Sequence, residues 1–112
     1  ETGQHLDARN QVRIFDQIER LADWESKLHA LQCLPFLRIP ESHRERLALF
    51  LKGGVTDPNK FVRAWSYNGW YELARQYLDY EPKAKRLLEQ ALIDEAPSVR
   101  ARVRNIVKNG FA

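Results

Sequence analysis

An eight-residue phrase occurs three times in this chain and limits its fold more than any other feature. The copies are residues 23–30 (DWESKLHA), 57–64 (DPNKFVRA) and 94–101 (DEAPSVRA). Each begins with Asp and, after four variable residues, ends with an aliphatic residue, a basic or imidazole residue, and Ala. The copies begin 34 and 37 residues apart. This spacing predicts a solenoid, in which each repeat buries its apolar face against its neighbours.

Apolar residues at three- and four-residue spacing predict six helices joined by short breaks. Pro35 and Pro82 interrupt the pattern, and glycines at 53 and 54 end the third helix. We therefore expect a single all-α domain over residues 1–112. It is an α-α superhelix of three helical hairpins, at about residues 7–37, 41–78 and 82–109.

The fourth helix is the most distinctive segment. Asp57 is a good N-cap and Pro58 suits the first helical position, so we expect the helix to begin there. Gly69 in its middle predicts that a bulky neighbour or another helix approaches closely. The apolar stripe that we expect to face the core consists of Val62, Trp65, Gly69, Trp70, Leu73 and Tyr77.

The second and third copies resemble the turn and second-helix start of HEAT repeats. That family has Asp before the turn, often Pro within it, and Val-Arg at the start of the second helix. Asn68 and Asn105 extend the match, because each follows its Asp by eleven residues. The first copy departs from the pattern, since Leu28 and His29 replace Val-Arg and its turn has no Pro. The resemblance covers about residues 7–110.

The resemblance implies structural roles for the repeated polar residues. In HEAT repeats the Asp caps the second helix, and the Arg hydrogen-bonds to Asp side chains in a ladder between repeats. A carboxylate at a helix N-terminus accepts orphan backbone donors, and an Arg fork can bind it in two directions. The implied ladder consists of Asp57, Arg63, Asp94 and Arg100, with Asp23 and His29 as a weaker rung.

Part of the chain also resembles tetratricopeptide repeats, which are helical solenoids too. The residues that carry this likeness are Ala64, Trp65, Gly69, the run at residues 79–81 (DYE), Ala84 and Ala91. The loop between these helices is too long for that family, and the pattern occurs once. We therefore rank the HEAT-like interpretation first.

The resemblance places a binding surface on the concave side, which the second helix of each hairpin lines. Four residues of the fourth helix follow one another at four-residue steps, and two basic residues of the sixth occupy the equivalent line. The expected ridge consists of Arg63, Tyr67, Tyr71, Arg75, Arg104 and Lys108. Basic groups interleaved with Tyr suit an acidic peptide or protein partner. An alternative is that the Arg residues serve only the ladder and that the Tyr rings cover helix stems.

The same ridge would suit nucleic acid, because Arg and Lys contact phosphates and aromatic rings stack on bases. The net charge of +3 comes from the second half of the chain, and no acidic residue follows Pro97. Composition also suggests a likeness to the HEAT-like DNA alkylation repair glycosylases, through Trp65, Trp70, Arg63 and Asp57. The chain is about half as long as such a cleft needs, so nucleic-acid binding is the second hypothesis.

Signals for an enzyme are poor. His5, His29 and His43 lie in different segments without metal-ligand spacing. Cys33 has no base beside it in sequence, which favours a packed thiol over a nucleophile. We expect no catalytic residues, no metal and no cofactor. The single cysteine and the lack of a transmembrane-length apolar run favour a cytoplasmic protein without a membrane partner. The sequence thus predicts a non-catalytic scaffold module.

Overall fold

The chain is all-helical. The computed structural model describes residues 8–110, with side chains from residue 13 onward. Its helices are α1 (Ala8–Gln17), α2 (Trp24–Cys33), α3 (Arg44–Gly54), α4 (Lys60–Gln76), α5 (Glu81–Asp94) and α6 (Pro97–Asn109). Short 3-10 turns accompany them at Ile18–Arg20, Leu34–Phe36, Glu41–His43 and Leu78–Tyr80. Strands are absent between residues 8 and 110, so the predicted all-α class is confirmed.

The starts of α2 and α4 are capped by different kinds of residue. The Asp23 carboxylate accepts the Ser26 N–H at 2.9 Å, as an N-cap does. Helix α4 begins two residues later than expected, and its cap is Asn59, whose side-chain oxygen accepts the N–H of Phe61 at 2.8 Å. The prediction that Asp57 caps α4 is therefore wrong. Asp57 instead accepts the Asn59 N–H at 2.8 Å and forms the turn that leads into the helix.

Helix α4 lies at the centre of the molecule and contacts α2, α3, α5 and α6. One buried cluster joins Val62, Trp70 and Leu73 of α4 to side chains from the first half of the chain. A second cluster joins Ala64 and Tyr67 of α4 to α5 and α6. Because α4 is buried on both sides, its burial covers more of its circumference than the single predicted stripe.

The predicted close approach at Gly69 is present. A Cβ atom at this position would lie 2.5 Å from Leu51 Cδ2 and 3.3 Å from Leu34 Cδ1. The neighbouring contact is tighter still, because a Cβ atom on Gly54 would lie 2.0 Å from Ser66 Oγ. Two glycines, one on each helix, thus allow α3 and α4 to pack closely.

The helices follow the expected order of three pairs, and they pack compactly. The principal extents of the described chain are 39 × 30 × 27 Å. Helix α4 touches the second helix of the pair before it and of the pair after it, as stacking requires. Three pairs are too few to display a superhelical path, so the solenoid stays a prediction.

We predict that Gly69→Ala destabilises the protein and that Gly53→Ala does not. The added methyl group at position 69 meets fully buried leucines, and overpacking of this kind lowers the free energy of unfolding by about 1–2 kcal/mol. A Cβ atom on Gly53 meets nothing within 4 Å, so helix propensity alone should raise stability by up to about 1 kcal/mol. Urea unfolding of both variants measures the difference. Equal effects at the two sites would contradict the packing described for Gly69.

Candidate functional site

The expected ridge on α4 does not form one line on the surface. A step of four residues exceeds one helical turn by about 40°, so three steps separate Arg63 from Arg75 by about 120° around the axis. The predicted row therefore winds from one side of α4 to another. Tyr67 is 7% exposed and belongs to the core between α4, α5 and α6. Its assignment to an exposed ridge is wrong.

Tyr67 has a structural role rather than a binding role. Its hydroxyl donates a hydrogen bond to Glu95 Oε2 at 3.3 Å. Burial, together with the charge of Glu95, raises the pKa of Tyr67 to about 12. The ring fills the core while its hydroxyl satisfies a carboxylate, so Tyr67 is not free to bind a partner.

Arg63 connects two turns of the chain. Its Nε donates to both carboxylate oxygens of Glu95, at 3.1 and 3.0 Å. Its Nη1 donates to the carbonyl oxygens of Asp57 and Pro58, at 3.0 and 3.2 Å. The Arg63 and Glu95 side chains are only 21% and 11% exposed. The guanidinium therefore fastens the turn before α4 to the turn before α6.

The inter-repeat ladder that the HEAT resemblance implied has different partners here. Asp94 is the last residue of α5 and accepts a hydrogen bond from Gln90, four residues earlier. It does not cap α6, whose N-cap is Ala96. The carboxylate that Arg63 binds is that of the next residue, Glu95. The Arg100 side chain forms no hydrogen bond or ion pair with any described residue, so its predicted ladder role is wrong.

The preceding rung is formed by Lys27 rather than by His29. Lys27 Nζ lies 2.9 Å from Asp57 Oδ2, and the Asp57 side chain is 10% exposed. Burial by itself would raise the pKa of Asp57. The hydrogen bond from the Asn59 N–H and the ammonium group of Lys27 outweigh this effect, so the pKa of Asp57 is lowered overall. His29 instead lies beside Cys33, with Nε2 4.0 Å from Sγ.

The remaining ridge residues are accessible. Arg104 and Lys108 are exposed on α6. Tyr71 is half-buried and lies so close to Gly110 that a Cβ atom there would meet its ring at 2.3 Å. Arg75 is half exposed and donates from Nη2 to Glu72 Oε1 at 2.7 Å. These four residues are the part of the predicted ridge that can meet a partner.

A groove of about 550 Å³ lies where the chain that follows α2 crosses the end of α4. Its lining residues are Pro35, Phe36, Leu37, Arg38, Arg75, Gln76 and Tyr77. We call it the arginine groove. Only Arg75 of the predicted ridge lines it. Apolar spacing does not predict the other lining residues, because Pro35 indicates only a break between helices.

Side chains of α4 hold the floor of the arginine groove in place. The Gln76 amide accepts the Ile39 N–H at 2.8 Å and donates to the Leu37 carbonyl oxygen at 3.0 Å. The Tyr77 hydroxyl donates to the Ile39 carbonyl oxygen. Gln76 thus binds the extended segment at residues 37–39 much as a neighbouring β-strand would. This attachment preorganises Phe36 and Arg38 beside Arg75.

The arginine groove combines positive charge with an exposed aromatic ring. Two of its seven lining residues are arginines, and no carboxylate is among the seven. Glu72, which pairs with Arg75, is buried and does not line the groove. The Phe36 side chain is 56% exposed. The groove lies at helix C-termini, where the carbonyl dipole repels anions. A bound anion must therefore be held by the guanidinium groups and not by the backbone.

One polar cluster resembles a catalytic arrangement in its order of contacts. Ser42 Oγ lies 3.0 Å from His43 Nδ1, and His43 Nε2 lies 2.6 Å from Asp16 Oδ1. The serine and histidine are chain neighbours, so their contact is local. Asp16 also faces Arg46 at 4.0 Å. The cluster joins α1 to the start of α3, and we interpret it as an interhelical clamp.

Two further findings concern metals and membranes. Within the described part of the chain, no three His, Cys, Asp or Glu residues are placed to hold a metal ion. No helix there is both long enough and apolar enough to span a bilayer.

Burial raises the pKa of the Cys33 thiol, which disfavours the reactive thiolate.

We predict that Asp57 contributes to stability at neutral pH and loses this contribution in acid. The folded pKa of Asp57 lies below its ordinary value of 3.8, so the contribution is present above 3.8 and disappears as the pH falls through the folded value. At neutral pH, Asp57→Asn should lower the free energy of unfolding by about 1–2 kcal/mol.

Urea unfolding of the wild type and of Asp57→Asn, at neutral pH and on both sides of pH 3.8, measures this difference. The gap should close in acid. Glu25→Gln, at an exposed position of α2, serves as the control and should cost little at any pH. A gap that stays constant with pH would contradict the Lys27–Asp57 interaction.

Comparisons of the chain with protein-family models, with curated proteins and with solved structures found no match. Membership of the HEAT family therefore stays an expectation from the repeated phrase. The arginine groove and the exposed basic residues Arg104 and Lys108 are the described features that bear on function.

Proposed function

We propose that this protein is a non-catalytic interaction module that binds an acidic segment of a partner protein in the arginine groove. The observation that carries the proposal is the composition of this groove, which places Arg38 and Arg75 beside the exposed Phe36 ring with no carboxylate in the lining. Such a surface matches a peptide in which Asp or Glu alternates with apolar residues.

The two kinds of contact have different roles in this proposal. Guanidinium forks bind carboxylates in a bidentate geometry, which selects Asp or Glu over other polar side chains. Phe36 offers apolar area that a partner residue can cover, and aromatic and Arg side chains dominate the energetics of many protein interfaces. The Gln76 contacts hold the groove floor, so little ordering is required when the partner binds.

The proposed surface continues from the groove along α4 and α6. Tyr71 and Arg75 lie one turn apart on α4, and Tyr71 touches the end of α6 at Gly110. Arg104 and Lys108 lie in the last turns of α6. We infer that these side chains bind further acidic residues of an extended partner. Arg63 and Tyr67 take no part, because both are largely buried and bound to Glu95, whereas Arg75 is half exposed.

The finer architecture and the location also belong to this proposal. We infer that the three hairpins form a short HEAT-like solenoid whose second helices α2, α4 and α6 line the binding side. The ion pairs of Lys27 with Asp57 and of Arg63 with Glu95 support it, since each links one hairpin to the next. The unpaired Cys33 thiol favours a reducing compartment such as the cytoplasm.

A second candidate function is nucleic-acid binding. It is favoured by Arg104 and Lys108, which are exposed on a helix whose sequence has four basic residues and no acidic one. Phosphate groups would bind these cations, and bases would stack on Phe36 or Tyr71. We place this function second because the cations that favour it, Arg104 and Lys108, do not line the arginine groove.

The test is fluorescence anisotropy with three labelled probes of similar length, measured at low and at physiological salt. The probes are a peptide of alternating Glu and Leu, the same peptide with Gln for Glu, and a single-stranded DNA. We predict that the acidic peptide binds best and that Arg38→Glu weakens it by about tenfold or more. The matched control, Arg20→Glu, changes an exposed Arg in the 3-10 turn that follows α1 and should have little effect.

Each other result has a defined meaning. DNA binding that is tighter than peptide binding, and that falls steeply with salt, would replace the proposal by nucleic-acid recognition. Equal binding of the Glu and Gln peptides would show that the guanidinium groups do not select carboxylates. If none of the probes binds even at low salt, the arginine groove is not an acidic-segment site.

A further inference from the structure

Glu72 is a buried carboxylate that pairs with one of the two arginines of the arginine groove. It lies one turn before Arg75 on α4, and its side chain is only 9% exposed. Buried charges in proteins are paired, because removal of the partner leaves a charge without water or a counter-ion. Within the described chain, the one ion pair of Glu72 is with Arg75. Arg75 is therefore bound to Glu72 before any ligand arrives.

Glu72 binds one edge of the Arg75 guanidinium group and leaves another edge open. Its Oε1 atom accepts hydrogen bonds from Nε at 3.1 Å and from Nη2 at 2.7 Å. A guanidinium group has five N–H donors in one rigid plane, so Nη1 and the second N–H of Nη2 remain. Nη1 forms no hydrogen bond with a described residue, and the Arg75 side chain is 50% exposed. The open edge can therefore meet a carboxylate that enters the groove.

This pairing fixes the Arg75 side chain in the unbound protein. An Arg side chain has several rotatable bonds, and ordering it when a ligand binds lowers the affinity. Glu72 imposes much of that order in advance. The buried carboxylate also opposes any separation of the pair, since it would lose its counter-charge. A ligand thus uses the open edge of Arg75 and does not displace Glu72.

Glu72 also lowers the positive charge that a ligand meets in the groove. Arg38 and Arg75 carry two positive charges, and Glu72 leaves a net charge of +1 for the three groups. A carboxylate carries one negative charge, whereas a phosphate monoester carries about 1.5 to 2 at neutral pH. Repulsion by Glu72 acts on each negative charge of the ligand, and burial limits its screening by salt. Glu72 therefore disfavours a phosphate more than a carboxylate.

We propose that Glu72 positions Arg75 for a carboxylate ligand and disfavours phosphate groups in the arginine groove. This inference rests on the function proposed above, and it specifies the ligand class as the side-chain carboxylates of Asp and Glu. The partner carboxylate accepts hydrogen bonds from the open edge of Arg75, while Glu72 keeps the Nε edge. Glu72 is thus a positioning residue that acts on the ligand through Arg75.

The positioning role is tested in the unbound full chain through the Arg Nε–H signals in two-dimensional 1H–15N NMR. Arg75→Lys identifies the Arg75 signal by its loss. We expect this signal to exchange with water at least about tenfold faster in Glu72→Met than in the wild type, because its acceptor is removed. Glu72→Gln should keep the exchange slow, since an amide oxygen also accepts the Nε–H. Equal exchange in the wild type and in Glu72→Met would overturn the positioning role, whether or not a peptide binds.

The specificity role is tested by fluorescence anisotropy with two peptides at physiological salt. One is the peptide of alternating Glu and Leu, and the other has phosphoserine in place of one Glu. We expect Glu72→Gln to shift the ratio of the two affinities about fivefold or more towards the phosphoserine peptide. The matched control is Glu89→Gln, which removes the same charge from an exposed position of α5 and should leave the ratio unchanged.

The remaining outcomes separate this inference from the proposed function. An unchanged ratio in Glu72→Gln would overturn the specificity role, and so would an equal shift in Glu89→Gln, because the effect would then reflect net charge alone. If the wild type binds neither peptide, the proposed function fails and the ligand class fails with it. Water exchange of the Arg75 signal is measured without a peptide, so it decides the positioning role in either case.

Discussion

The arrangement of the hairpins depends on the hydrogen bonds and the ion pair that the guanidinium group of Arg63 forms. It holds the Glu95 carboxylate before α6 and the backbone carbonyls of Asp57 and Pro58 before α4. Apolar packing is strong but non-directional, so it leaves the register of neighbouring hairpins weakly specified. A largely buried ion pair with several hydrogen bonds is directional, and breaking it leaves a carboxylate without its partner. Lys27 performs the same function one hairpin earlier through Asp57.

The central position of α4 follows from these contacts and shapes the candidate site. Its first turns are held by the Arg63 network, and its middle is buried on both sides. Its last turn therefore has little freedom, and Gln76 and Tyr77 bind the segment at residues 37–39 from that fixed position. The arginine groove is the consequence, because it forms where a loop is attached to the end of the best-packed helix. Binding residues on loops that a rigid scaffold positions are a common arrangement.

Much of the fold could be predicted from the sequence, because apolar spacing, Pro, Gly and Asp act locally. The HEAT resemblance implies the cap at Asp23, and the mid-helix position of Gly69 predicts its close approach; both are present. The site could be predicted only in part. A row at four-residue steps drifts around a helix, so Tyr67 lies in the core rather than on a ridge. The Arg63 partner is Glu95 rather than Asp94, because α5 continues through Asp94. Sequence spacing does not show which of the two adjacent carboxylates, Asp94 or Glu95, faces Arg63 on α4.

The most direct test of the central role of Arg63 is a double-mutant cycle on the free energy of unfolding, with Arg63→Met, Glu95→Gln and the combined variant. We expect a coupling energy of about 1–3 kcal/mol, since the two side chains are in contact and mostly buried. The control cycle replaces Arg63→Met by Arg100→Met, and it should be additive because Arg100 does not contact Glu95 through any hydrogen bond or ion pair described. Additivity of the Arg63 and Glu95 substitutions within about 0.5 kcal/mol would contradict this account of how the hairpins are joined.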